Sequence, residues 1–271
     1  MSNYIIGDIH GCFFELQKLL TKISFNPKVD KLWLTGDLIA RGNNSLEVLR
    51  FIRSLNLSAN IVLGNHDLNL LAIYYGIVKN KLEDKLDLLL TASDIHELIY
   101  WLRYQPILRI DSKLKIIISH AGITPKWNIR TAKICASEIE KMLRSNNCCI
   151  FLKNLYKKTN NNWKLKLNYL DRLNFSINSL TRMRYCSIDG NLDMSYKGSP
   201  NTAPQSLKPW FNFPRLIKKN YTIFFGHWST LGINNTPKGI IGLDTGCCWG
   251  GKLTIFHLEE KKYYTQCFKK Y

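Results

Sequence analysis

The sequence predicts an α/β fold, two mixed β-sheets flanked by helices, and three observations carry that prediction. Short apolar runs alternate with stretches of helical periodicity along the first half of the chain. Each of those runs ends in a polar loop flanked by glycine. Late in the chain the apolar runs stand close together, with no helical stretch between them.

The elements follow in order. "NYIIGDIHG" is a short buried strand that ends in a loop between Gly7 and Gly11. "CFFELQKLLTKI" places Phe13, Leu16, Leu19, Leu20 and Ile23 at helical spacing. "DKLWLTGDLIARG" is a second strand ending at Gly36 and Asp37, and "NSLEVLRFIRSL" a second helix with Asn44 or Ser45 as its N-cap. "ANIVLGNHD" is a third strand running into a polar loop, followed by the helix "LNLLAIYYGI". "KLKIIISHAGI" is a fourth strand with the same polar ending. From about Trp127 to Lys219 the character changes: helical stretches such as "TAKICASEIEKMLR" and "NCCIFLKNLYKK" give way to "TNNNWKLKLN" and the loop-like "SYKGSPNTAPQSLKPWFNFP". This region, about 127–219, is expected to be a helical and loop insertion that caps the site within a single domain spanning 1–271. Beyond it, "YTIFFGHWS", "KGIIGLDTGCCWGGKLTIFHLEE" and "KYYTQCF" read as hairpins of a second, mostly antiparallel sheet.

Composition narrows the function classes. The 271 residues are 45% hydrophobic, enough for a sizeable core, and no apolar run approaches the ~18–20 residues of a membrane span. With no basic leader before "YIIGDIHG", a cytoplasmic protein without membrane contact, and a monomer, is expected. The 8 cysteines show no Cys-x2-Cys spacing and read as reduced thiols rather than a zinc knuckle. The net charge of +18 suits a nucleic acid or another polyanion. Because lysine and asparagine are spread along the whole chain, a compositional bias explains the charge better, although it also attracts an anionic substrate.

The chemistry lies in the loops past the strand ends, where α/β sheets build their sites. These loops hold Asp8 and His10, Asp37, Asn65 with His66 and Asp67, His120, and His227. Asp37 follows Asp8 by 29 residues and Asn65 follows Asp37 by 28, the spacing of successive strand–helix units, so the groups can converge. Mixed oxygen and imidazole donors suit Mn²⁺, Fe, Co²⁺ or Zn²⁺ rather than Ca²⁺. So many candidate ligands call for two metals sharing a carboxylate. His96 and His257 fall on a helix and a strand and are given no function.

"GDIHG", "GDLIARG", "GNHD", "SHAG" and "GHWS" resemble the five motifs of the calcineurin-like metallophosphoesterases, in their phosphoprotein phosphatase branch. The resemblance runs from Gly7 to about Gly251. "GDLIARGNNSLEVLRF", "TRMRYC", "SLKPWF" and "GLDTGCCWGGKLT" are similar to the members that hydrolyse dinucleoside tetraphosphates symmetrically. The resemblance implies that Asp8 and His10 bind one metal, Asp37 bridges, and Asn65, His120 and His227 bind the other. It implies two divalent ions, Mn²⁺ or Co²⁺ first, with Fe, Ni or Zn as further fits, that turn a water into a nucleophile at neutral pH. His66 would be the general acid, oriented by Asp67, and Arg41 would grip a phosphate. Arg182 and Arg184 are candidates for the remaining phosphates, and Trp210 and Phe211 for either stacking on a base or packing in the core or a loop.

One position departs from the pattern. Protein phosphatases of this branch carry Asp before the Arg of the second motif, and here that residue is Ala40. The expected activity is therefore central cleavage of diadenosine tetraphosphate to two ADP, with a dinucleoside polyphosphate as substrate. The rivals are a phosphoprotein phosphatase or broad phosphodiesterase, a nucleic-acid-binding protein, and an enzyme that acts on nucleoside-tetraphosphate-capped RNA ends.

Overall fold

The computed structural model describes residues 1–155 and 161–269. The end of the helix expected over "NCCIFLKNLYKK" and the start of the polar stretch after it lie outside the described residues.

The first half alternates as expected: β1 (Asn3–Ile6), α1 (Phe13–Lys22), β2 (Lys31–Leu34), α2 (Ser45–Ser54), β3 (Ala59–Ile61) and α3 (Asn65–Tyr74). Two further helices, α4 (Asp87–Leu90) and α5 (Ile95–Arg103), precede β4 (Leu108–Asp111) and β5 (Ile116–Ser119). The region from 127 to 219 contains α6 (Ile129–Arg144), α7 (Cys148–Leu155) and α8 (Tyr169–Thr181). It also builds β6 (Tyr185–Ser187), β7 (Leu192–Asp193) and β8 (Leu207–Pro209), an antiparallel sheet in the order β7-β6-β8 where helix and loop were expected. The chain ends with β9 (Thr222–Phe225), β10 (Ile240–Gly242), β11 (Lys252–His257) and β12 (Lys262–Cys267).

Two mixed sheets form the centre. One has the order β12-β11-β1-β2-β3, with β1, β2 and β3 parallel and β11 antiparallel to both β1 and β12. The other has the order β10-β9-β5-β4, parallel except for the β4–β5 pair. The expectation of a mostly antiparallel second sheet is thus corrected. Only β11 and β12 form the late hairpin, and it joins the first sheet. The stretch between Phe225 and Ile240 is long enough to cross over and bring β10 back parallel to β9, a direction that apolar spacing does not encode.

The two-residue period of the strands explains the packing. Ile5, Trp33, Ile116, Ile118, Phe224 and Phe256 point into the seam between the two sheets. Their neighbours Tyr4, Ile6, Leu32, Leu34, Ile117, Ile223, Phe225 and Ile255 point the other way, into the cluster that contains the helices. Strands apolar on both faces are what a sheet covered on both sides requires. Among the described residues no helix is long and apolar enough to cross a membrane.

Candidate active site

All five strand ends named from the sequence come together. Asp8 and His10 follow β1, Asp37 follows β2, Asn65 opens α3 after β3, His120 follows β5, and His227 follows β9. The loops are locked to one another by backbone bonds: the N–H groups of Ile9 and His10 donate to the Asp37 carbonyl, and that of Gly42 donates to the His10 carbonyl. They are also strained. His10, Asp37, Arg41 and His227 have φ of 47°, 50°, 71° and 63°, a left-handed conformation that side chains rarely adopt. Two glycines make room. A Cβ on Gly64 would sit 2.1 Å from Asp37 Oδ1, and one on Gly226 would sit 1.7 Å from Asp8 Oδ1.

Each imidazole of the cluster is turned the same way. His10 Nδ1–H points at the Ile39 carbonyl (3.1 Å), His120 Nδ1–H at that of Thr35 (2.8 Å), and His227 Nε2–H at that of Arg182 (3.0 Å). Tethering one ring nitrogen to a carbonyl leaves the other with its lone pair facing inward, the way metal-binding histidines are held. Inside, His10 Nε2 lies 3.9 Å from Asp8 and 3.6 Å from Asp37 Oδ2. His120 Nε2 lies 3.3 Å from the same Asp37 oxygen. One carboxylate oxygen thus stands between two imidazoles, as a bridging ligand would. Its other oxygen accepts from the His66 N–H at 2.8 Å.

The donor set fits cations. The inner end of the Asn65 amide faces His120 Nε2 at 3.1 Å, His227 Nδ1 at 2.8 Å and the Thr181 carbonyl at 3.1 Å. With His120 protonated, its Nε2–H donates to the amide oxygen turned inward; with His120 neutral, that oxygen adds a fourth lone pair around a place for a positive charge. The charges argue likewise. Burial, then Asp244, pushes Asp8 well above the usual carboxylate range. Burial acts the same way on Asp37, but His120 and His66 outweigh it and hold that carboxylate well below its usual range. Burial alone would lower His120, yet Asp37 and Asp8 raise it to about 10. Burial, with Arg184 beside it, holds His227 well below the usual imidazole range. Buried carboxylates here draw a proton onto His120, in the position where a metal would supply the positive charge instead.

His66 and Asp67 differ from expectation. They open α3, and adjacent helical residues point about 100° apart. Asp67 is fully buried and spends its oxygens on the N–H groups of Asp37 (2.9 Å), Leu38 (3.0 Å) and Gly64 (2.8 Å). It therefore caps the helix and fixes the Asp37 loop instead of orienting His66. Besides Asp37, the carboxylate beside His66 is Asp84, whose Oδ1 lies 4.0 Å from His66 Nδ1 and 3.4 Å from Arg41 Nε. The Asp84 carbonyl also accepts from the Arg41 N–H (3.1 Å). All three side-chain atoms are buried with no closer hydrogen-bond partner.

Asp8, His10, Asp37, Arg41, Asn65, His66 and His227 line one cavity of about 760 Å³ that also contains Arg182, Arg184, Lys197, Asp244 and Trp249. Arg41 is only partly exposed and ion-paired with Glu83 and Asp84, so it is a placed group rather than a loose surface charge. Arg184 donates to the His227 carbonyl (2.7 Å), and Arg182 donates to Asn178 (3.3 Å). Trp210 and Phe211, which the sequence left open between base stacking and core packing, are buried against Phe225.

Residues 1–173 match the calcineurin-like phosphoesterase family. A symmetrical bis(5′-nucleosyl)-tetraphosphatase of Serratia proteamaculans is 56% identical over 266 residues, 98% of this chain and 94% of its own length. One of Baumannia cicadellinicola is 58% identical over 262 residues, 97% of this chain and 91% of its own. The chain belongs to the calcineurin-like phosphoesterase family. A crystal structure described as that of a candidate diadenosine tetraphosphatase shares the fold, with a TM-score of 0.67 at 21% identity over 100% of this chain and 95% of that one.

As a phosphoesterase of this family, the protein works with divalent metals, and the cavity offers two groups of candidate ligands, His10–Asp37–His66 and Asp37–His120–His227. Asp84, Asp244 and Trp249 are among the residues that the sequence did not single out. Asp84 sits behind the cavity lining in a short turn with no periodic signal, while Asp244 and Trp249 line the cavity from "LDTGCCWGG", a stretch outside the five motifs.

Proposed function

We propose that this phosphoesterase cleaves dinucleoside 5′,5‴-P1,P4-tetraphosphates, diadenosine tetraphosphate among them, at the centre to give two nucleoside diphosphates. The observation that carries the reading is the cavity itself, in which the lone-pair cluster continues into Arg41, Arg182, Arg184 and Lys197. A row of four phosphates needs more than one cation, and guanidinium groups can each bond two phosphate oxygens. The names of relatives at 56% and 58% identity support the same substrate class.

Asp8, His10 and Asp37 would hold one divalent ion, and Asp37, Asn65, His120 and His227 a second. Mn²⁺ or Co²⁺ suit these mixed oxygen and nitrogen donors. When bound, two such ions supply a nucleophile from water at neutral pH and neutralise charge on the transferred phosphoryl group. The chain does the rest. Arg41 and the arginines from the 127–219 region align the phosphates. His66, whose proton affinity is lowered by burial and only partly restored by Asp37, gives a proton to the departing nucleotide. Asp84 faces that ring from 4.0 Å and favours its charged form. The region from 127 to 219 supplies Leu155, Asn178, Arg182, Arg184, Met194 and Lys197 as a cap over the site, within one domain. Eight free thiols suit a reducing cytoplasm.

The test compares substrates on protein stripped of metal and then reloaded with Mn²⁺. Turnover of diadenosine tetraphosphate that disappears on stripping and returns on reloading, with none on a phosphopeptide, is the expected result. Preference for the phosphopeptide overturns the reading.

A further inference from the structure

Trp249 is the one exposed large apolar side chain among the described residues lining the catalytic cavity, at 65% exposure. It is not on a loose loop. Cys247–Trp249 form a single 3₁₀ turn between Gly246 and Gly250, whose φ of 69° and 90° are open to glycine. The turn is closed by the N–H groups of Trp249 and Gly251 on the Gly246 carbonyl, at 3.0 and 2.9 Å, and anchored by buried Cys247. The fold thus holds an indole rigidly at the rim of a polar cavity, where leaving it exposed forfeits the stability that burial would give.

Its neighbour indicates what covers it. The Arg41 guanidinium lies 5.6 Å from the Trp249 ring centre. On its other side Arg41 is fixed by Glu83 and Asp84, and Asp84 also stands beside His66. A phosphate-gripping cation therefore lies over the aromatic platform, next to the proton donor, while the indole keeps 65% of its surface open. A nucleoside phosphate has the matching layout: an anion and a flat π-face joined by one sugar.

We infer that Trp249 is the stacking platform for one nucleobase, and that the nucleoside diphosphate seated on it is the half that leaves with the proton of His66. This rests on the tetraphosphate reading and adds the subsite. Aromatic stacking is tolerant of base identity, so the platform takes purines and pyrimidines, purines more tightly because their faces are larger.

The test is a binding measurement, read without turnover. ADP and inorganic pyrophosphate are titrated by calorimetry into the Mn²⁺-loaded wild type and the variants Trp249→Phe, Trp249→Leu and Trp249→Ala. The expected result is a loss of ADP affinity of about tenfold in Trp249→Ala and Trp249→Leu, on the scale of one base–aromatic stack, with Trp249→Phe retaining most of the affinity. Pyrophosphate should bind all four proteins within about twofold. Trp249→Leu keeps apolar bulk in the turn, so its loss reports the π-face rather than the fold. Equal losses for both ligands, an ADP affinity unchanged by Trp249→Ala, or no ADP binding by the wild type overturns the inference. A wild type that binds ADP through Trp249 yet cleaves no tetraphosphate refutes the functional reading alone.

Discussion

Asp84 takes the position beside His66 that sequence adjacency offered to Asp67, and the difference is testable residue by residue. Asp84→Asn should lower kcat about tenfold, because the His66 ring loses the carboxylate beside it, and should also raise KM, because Arg41 loses an ion-pair partner. In a His66→Asn background the kcat loss should not recur, since residues acting through one another are not additive. An additive kcat loss, or an effect confined to KM, would tie Asp84 to Arg41 alone. His66→Asn alone should lower kcat by about a hundredfold or more with metal content retained, as elemental analysis would show. Asp37→Ala should abolish turnover together with metal binding, because one carboxylate oxygen faces both His10 and His120. The metal candidates were legible because each sits just past an apolar run at regular spacing. Asp84 was not, because only the folded turn brings it to His66.

At the scale of elements, the site depends on α3 beginning at Asn65 rather than after the "GNHD" loop. Its first turn aims Asn65 and His66 into the cavity, while Asp67 ties the helix end to the Asp37 loop. Gly64→Ala should therefore lose both metal and activity, since its Cβ would collide with Asp37 Oδ1 and the Asp37 backbone. Retained metal with full turnover would show that the loop can yield. The strand–helix alternation was readable because periods of 2 and 3.6 differ over short windows. Strand direction late in the chain was not, because apolar spacing is the same for a hairpin and a crossover. Trp210 and Trp249 show the same limit for side chains: both are indoles in loop-like sequence, and only packing buries the first and leaves the second at the cavity rim.

For the whole molecule, metal binding and stability are linked. Ions held by the proposed ligands would tie together loops from both sheets, so chelation should lower Tm by several degrees and Mn²⁺ should restore it, by mass action on the folded state. Asp37 and Asp8 raise His120 to about 10 in the metal-free protein, so a metal taking its place beside them would displace a proton. Metal affinity should therefore rise with pH below that value, about tenfold per unit for one displaced proton. A pH-independent affinity between pH 6 and pH 8, followed by calorimetry, would contradict a protonated His120. The net charge of +18 draws polyanions without choosing among them, so the choice rests with the cavity. The most direct test is to resolve the products of diadenosine tetraphosphate after limited turnover by the Mn²⁺-loaded protein. ADP as the sole product is the predicted result, and AMP with ATP would contradict central cleavage.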